Sequence, residues 1–208
     1  MPKIDAATVA EHRARRERQV IEAAVSLLTS KGPSAVTPAA VAQRTGLART
    51  SVYQYAGSSA ELVGAAVEAL FVRAEDDLTA ALAAAGPDPH RRVAAIVRAV
   101  LEGAAAGHSP NHSLDVAQLP PDQRTRLGAL HGRLLAPLEA AIADSGVAEA
   151  GAVAALVWGA INGAVPLLER GYPVERLVEL ALGFIGDGVP GCRSPGADGT
   201  VSSGGTEI

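Results

Sequence analysis

Apolar residues recur every third or fourth position along most of this chain, and strict apolar–polar alternation persists nowhere. That period belongs to helices, so the pattern predicts an all-α fold. Val20, Ile21, Ala24, Val25, Leu27 and Leu28 form the first stripe, on a helix expected over about Ala6–Ser30 and ended by Lys31-Gly32-Pro33. A second long stripe runs through Leu62, Val63, Ala66, Val67, Leu70, Ala74, Leu78, Ala81 and Leu82. Ser58 and Glu61 precede it as a capping box, and the helix should reach Ala85, about 40 Å at the usual rise per residue. Gly86-Pro87-Asp88-Pro89 breaks the chain. Further helices are expected over about 90–106, 122–144 and 149–169, with a short one over 111–118 and a last one after Gly171-Tyr172-Pro173. Residues 189–208 are rich in Gly, Ser and Pro, cannot bury apolar area, and read as a disordered tail.

The stretch Thr37–Tyr55 breaks this pattern of long helices. Thr37 can cap a helix, Pro38 suits its first position, and Ala39–Arg44 fill about two turns. Gly46 can take the left-handed conformation of a sharp reversal, and Leu47 can pin the turn to the core. Ala48–Tyr55 then restarts as a second short helix carrying Arg49, Thr50, Ser51, Tyr53, Gln54 and Tyr55. Two short helices about a glycine turn, the second rich in hydrogen-bonding side chains, form a helix-turn-helix pattern.

From about Arg16 to Leu62 the chain resembles the DNA-binding domain of TetR-type transcriptional regulators. The resemblance is carried by Val20-Ile21-Glu22-Ala23-Ala24, Leu28, Gly32, Thr37, Val41-Ala42, Gly46-Leu47, Val52-Tyr53, Tyr55 and Glu61-Leu62. The family usually has Phe where this chain has Ala56, and a phosphate-touching Lys where it has Ser59. Ala48 stands where the family often has a Ser that caps the recognition helix. The resemblance implies a homodimer that reads an inverted-repeat operator.

Composition and charge sharpen this. The chain is 48% hydrophobic but only 3% aromatic, so its core must be built from Ala, Leu and Val. The net charge of −4 divides into +4 for residues 1–56 and −8 for the remainder. A basic head on an acidic body suits a protein that offers one face to a polyanion. Arg13, Arg15, Arg16 and Arg18 read either as a solvated face or as an arm reaching phosphates. One cysteine, Cys192, excludes an internal disulfide framework. The N-terminus carries charges without an apolar run, so a cytoplasmic location is expected. Residues 150–168 are uncharged and near membrane-spanning length. Their Ala and Gly content, with Asn162 and Pro166, favours a helix buried on two sides in a soluble protein.

That helix is apolar almost all round and needs a partner beyond its own domain. A second copy of it and of the last helix would supply one in a two-fold bundle, with Val157, Ile161, Val178, Ala181, Phe184 and Ile185 in the seam. Trp158 and Asn162 lie one turn apart, as a ligand-pocket wall with a polar anchor or as a core Trp with a satisfied Asn. His131 faces either the same pocket or the surface. His108 and His112 have a metal-ligand spacing only if helical, and Gly107 and Pro110 argue for a loop. No phosphate loop, nucleophile elbow or His-Glu-x-x-His pattern is present, which argues against an enzyme.

The reading is a helix-turn-helix domain over 1–57, an effector-binding and dimerisation domain over 58–188, and a tail over 189–208. Arg49, Thr50, Ser51, Tyr53 and Gln54 form the DNA face, Arg and Gln being suited to G and A edges. Tyr53, Tyr55, Thr37 and Arg44 contact phosphates or pack. A small apolar effector near His131, Trp158 and Asn162 would release the repressor, with no metal or cofactor. The competing reading is a helical binding or scaffold protein whose helix-turn-helix has degenerated, as Ala56 and Ser59 suggest.

Overall fold

Eight α-helices and one 3-10 turn make up the described part of the computed structural model, residues 6–107 and 119–188, with no strand among them. Helix α1 spans Ala6–Lys31, and a 3-10 turn over Pro33–Ala35 leads into α2, Pro38–Thr45. Then come α3 (Arg49–Val52), α4 (Ser59–Ala85), α5 (Pro89–Ala105), α6 (Pro121–Asp144), α7 (Ala150–Glu169) and α8 (Val174–Gly188). The all-helical expectation holds, and the long helices lie within a residue or two of where the apolar period puts them. The expected helix over 111–118, the two histidines His108 and His112, and the tail with Cys192 lie outside the described residues.

Local chemistry explains the helix starts. Thr37 Oγ1 accepts from the Ala40 N–H at 3.1 Å with Pro38 at the first helical position. Ser58 Oγ accepts from the Glu61 N–H at 3.1 Å, and the Glu61 carboxylate reaches back to the Gly57 N–H at 2.8 Å. Asp88 caps α5 through the Arg91 N–H at 2.8 Å. Each cap satisfies a backbone donor that the helix itself cannot.

A continuous apolar core joins the head to the body. Val20, Ala24, Leu28, Val36, Val41 and Val52 close the head, and Leu62, Ala66 and Leu70 carry the core along α4. Ile96, Leu101, Leu138, Ile142, Ile161 and Leu177 close the body. Helix α4 thus belongs to both parts, which is why its position matters to the head. An ion pair between Glu22 and Arg73 also ties α1 to α4.

Burial divides the residues expected in a seam between two copies. Val157, Ile161, Val178, Ala181 and Ile185 sit in the core of the single chain, whereas Phe184 is 69% exposed. The apolar pattern of the sequence puts all of these α8 residues on one face. In the structure residues 177, 178, 181 and 185 follow the inward stripe, and residue 184 falls about 100° away from 185. Leu156 on α7 and Leu180 on α8 join Phe184 as exposed apolar side chains, flanked on α7 by exposed Gly151, Ala152, Ala155, Gly159 and Gly163. Helix α7 is the described helix long and apolar enough to cross a bilayer, yet it packs against α5, α6 and α8.

Candidate functional site

The turn between α2 and α3 forms as its residues require. Gly46 has φ 70° and ψ 14°, the left-handed region that a side chain disfavours. Leu47 packs half-buried on the core. Gln19 on α1 donates to the Thr45 carbonyl at 3.1 Å, holding the end of α2. Helix α3 is shorter than the sequence suggests: its α-helical part is Arg49–Val52, and Tyr53–Tyr55 continue as turns. Gln54 N–H to Ser51 O and Tyr55 N–H to Val52 O are the tighter i to i+3 bonds of a 3-10 geometry. Ala48 provides no side-chain cap, and Thr50 and Val52 are β-branched, so little local energy sustains a longer α-helix.

Arg49, Thr50, Tyr53 and Gln54 are exposed on this helix, while Val52 beneath them is buried. Ser51 is half-buried, and Tyr55 packs partly against the core. Arg49 donates to the Tyr53 hydroxyl at 3.1 Å, with its guanidinium carbon 5.8 Å from the ring centroid. Arg44 instead donates to Ser26 Oγ at 2.6 Å, which fixes it to α1. Thr37 is occupied as the cap of α2. The expected DNA face therefore separates into four outward side chains, a half-buried serine, and three residues that pack or brace. Arg13, Arg15 and Arg18 are exposed on α1.

In the body, the structure brings His131 and Trp158 together and adds Phe71. The His131 ring meets Trp158 edge to face at 5.7 Å and Phe71 at 6.4 Å. The Trp158 indole N–H is buried and has no acceptor among the described residues. Phe71 lies on α4's buried stripe, one turn after Val67 and two turns before Leu78, so the apolar period was the signal for it. Asn162 lies one turn on from Trp158. Its Nδ2 donates to the Trp158 carbonyl at 2.9 Å, back along its own helix. It lines a separate groove of about 270 Å³ between α7 and the end of α1, with Leu28, Lys31, Pro33 and Pro166. Four helical residues span about 40° more than a full turn, enough to aim the two side chains apart.

A larger groove of about 700 Å³ runs between α4 and α5, lined by alanines with Asp77, Arg91, Arg98 and Glu102. Where α4 meets α6, Gln123 is buried, a position that sequence reasoning missed. A lone Gln in a polar first turn gives no periodic signal. Leaving its carbonyl unpaired costs about 1–3 kcal/mol. Arg126 and Arg133 of α6 pair with Glu68 and Glu75 of α4 at 3.1 and 3.0 Å. Hydrogen bonding to Glu68 raises the pKa of the Arg126 guanidinium.

Comparison with known proteins fits this geometry. The sequence family described as bacterial regulatory proteins, tetR family, matches residues 20–66. The HTH-type transcriptional regulator BetI of Rhizobium meliloti is 31% identical over 98 residues, 47% of this chain and 45% of that protein. The chain therefore spans about half the length of this curated relative. A putative transcriptional regulator from Saccharomonospora viridis, solved with choline, has a TM-score of 0.71 at 20% identity, over 85% of this chain and 98% of that one. FadR from Bacillus subtilis, solved with stearoyl-CoA, has a TM-score of 0.66 at 16% identity, over 83% and 99%. These two share the fold. Residues 20–66 of this chain thus match the tetR family of bacterial regulatory proteins, and the all-helical architecture that carries them is the fold of these solved regulators.

Proposed function

We propose that the chain is a homodimeric, ligand-responsive transcriptional repressor that works in the cytoplasm. The head, residues 1–57, reads an inverted-repeat operator, and the body, 58–188, binds an effector and holds the dimer. The observation that carries the reading is the outward set Arg49, Thr50, Tyr53 and Gln54, raised on buried Val52 behind the Gly46 turn. Arg49 and Gln54 suit base edges, and Tyr53 suits either a phosphate or the support of Arg49.

The exposed Leu156, Leu180 and Phe184 support a self-association face on α7 and α8, shifted from the residues expected in sequence. Two copies covering it would remove apolar surface from water and set the distance between two heads. The Phe71–His131–Trp158 cluster supports an effector site in the body. Its aliphatic surroundings favour an apolar effector, and the Trp158 N–H favours one that brings a hydrogen-bond acceptor.

Selection of genomic fragments by the purified chain tests this. Enrichment of an inverted repeat, with affinity falling steeply as salt rises, is the expected result. The short, uncapped α3 favours the competing reading of a helical binding protein with a degenerate head. Failure to enrich any sequence at low salt would select that reading.

A further inference from the structure

We propose that Gln123 and Gly64 form a clasp between α6 and α4, and that Gln123 is a positioning residue for the spacing of the two recognition helices. The inference rests on the DNA-binding reading above.

Gln123 is the buried polar side chain among the described residues, 6% exposed in the first turn of α6. Its Nε2 donates to the Glu61 carbonyl at 3.2 Å, in the first turn of α4. Its Oε1 has no hydrogen-bond partner among the described residues and lies against Gly64. A Cβ at residue 64 would collide with Oε1 and stand 2.5 Å from Nε2, so any side chain there would push the amide or the helix away. The glycine and the glutamine are therefore matched.

Packing alone does not account for the amide. An apolar side chain of the same length would fill the space without an orphaned carbonyl. What the amide adds is direction. A hydrogen bond to one carbonyl admits a single register of α6 on α4, whereas apolar contact tolerates sliding. The Arg126–Glu68 and Arg133–Glu75 pairs continue that register along α4, but both are exposed and salt weakens them.

The place of the clasp decides its consequence. The same Glu61 that accepts from Gln123 through its carbonyl accepts from the Gly57 N–H through its carboxylate at 2.8 Å. Gly57 follows closely on the turns that end the recognition helix. One residue thus joins the body's α6 to the hinge of the head. A tight clasp makes the distance between two heads a fixed property of the dimer, and a loose one lets each head find its half-site.

The experiment uses the full chain and a duplex that it selects, with and without one base pair inserted between the half-sites. Insertion turns one half-site by about 35° and moves it about 3.4 Å. The unmodified chain should lose about 30-fold or more in affinity on insertion, and Gln123→Ala and Gln123→Met no more than about fivefold. A folding role alone would leave that ratio unchanged. Thermal melting supplies a test without DNA. Gly64→Ala should lower the melting temperature, and should cease to do so in the Gln123→Ala background, where alanine's better helix propensity is felt. An insertion penalty equal to the unmodified chain's in both well-folded Gln123 variants overturns the proposal. So does a Gly64→Ala effect that ignores residue 123. If the unmodified chain selects no duplex, the regulatory reading fails and takes the positioning role with it, whatever the melting cycle says of the clasp.

Discussion

The guanidinium of Arg49 lies over the ring of Tyr53, one helical turn away, and donates to its hydroxyl at 3.1 Å. An exposed arginine otherwise samples many rotamers, and ordering it on binding costs about 1–2 kcal/mol. Tyr53 holds part of that order in advance. Arg49→Ala should relax base preference at one position per half-site, with about 1–3 kcal/mol lost against the selected sequence. Tyr53→Phe should cost less and act on the same position, because it removes the hydroxyl and keeps the ring. Binding-site selection with each variant checks this, and a change at a different position would assign another residue to the contact.

Ala48 leaves the first turn of α3 without a side-chain cap. Ala48→Ser should supply one and stabilise the helix by about 1 kcal/mol. The recognition helix would then meet DNA with less ordering left to do, so affinity should rise several-fold while specificity stays. Titration of the selected duplex against both proteins measures it. Unchanged affinity would mean that DNA itself orders the helix at no appreciable cost.

Burial separates two substitutions that sequence alone would treat alike. Phe184 is exposed and Val178 is 1% exposed. Phe184→Glu should give a folded monomer with weakened operator affinity. Val178→Glu should unfold the body, since an unpaired buried charge costs several kcal/mol. Light scattering and melting curves distinguish the outcomes. A folded dimeric Phe184→Glu protein would place the self-association face elsewhere.

Trp158 is the single tryptophan, so its fluorescence should report an effector in the body. Trp158→Phe should weaken an effector that accepts from the indole N–H by about 1 kcal/mol or more, whereas Asn162→Ala should change its affinity little. Coupling of about 1–3 kcal/mol would make operator DNA weaken effector binding by about 5- to 150-fold, and the reverse by the same factor. Fluorescence titration with and without the duplex measures the linkage. Equal affinities in both would remove the case for a ligand-driven switch.

The helices and their ends were legible in the chain because they are local events. A period of three to four residues, the Thr37 and Ser58 caps, and the Gly46 turn each depend on neighbours a few residues away. The matching family segment was legible for the same reason, since its signals are contiguous. What the chain could not disclose was which side of each helix meets which other helix. The position of Phe184 outside and Ile185 inside follows from how α8 is rotated against its neighbours. Asn162 and Trp158 share a helix and a spacing, yet α1 and α6 draw them to different surroundings. Gln123 and Gly64 lie far apart in the chain and are ordinary residues taken singly, and only the approach of α6 to α4 turns them into a pair. Sequence determines local conformation through short-range sterics and hydrogen bonds. The mutual rotation of helices is set by packing summed over the whole core, and that sum exists only once the chain has folded.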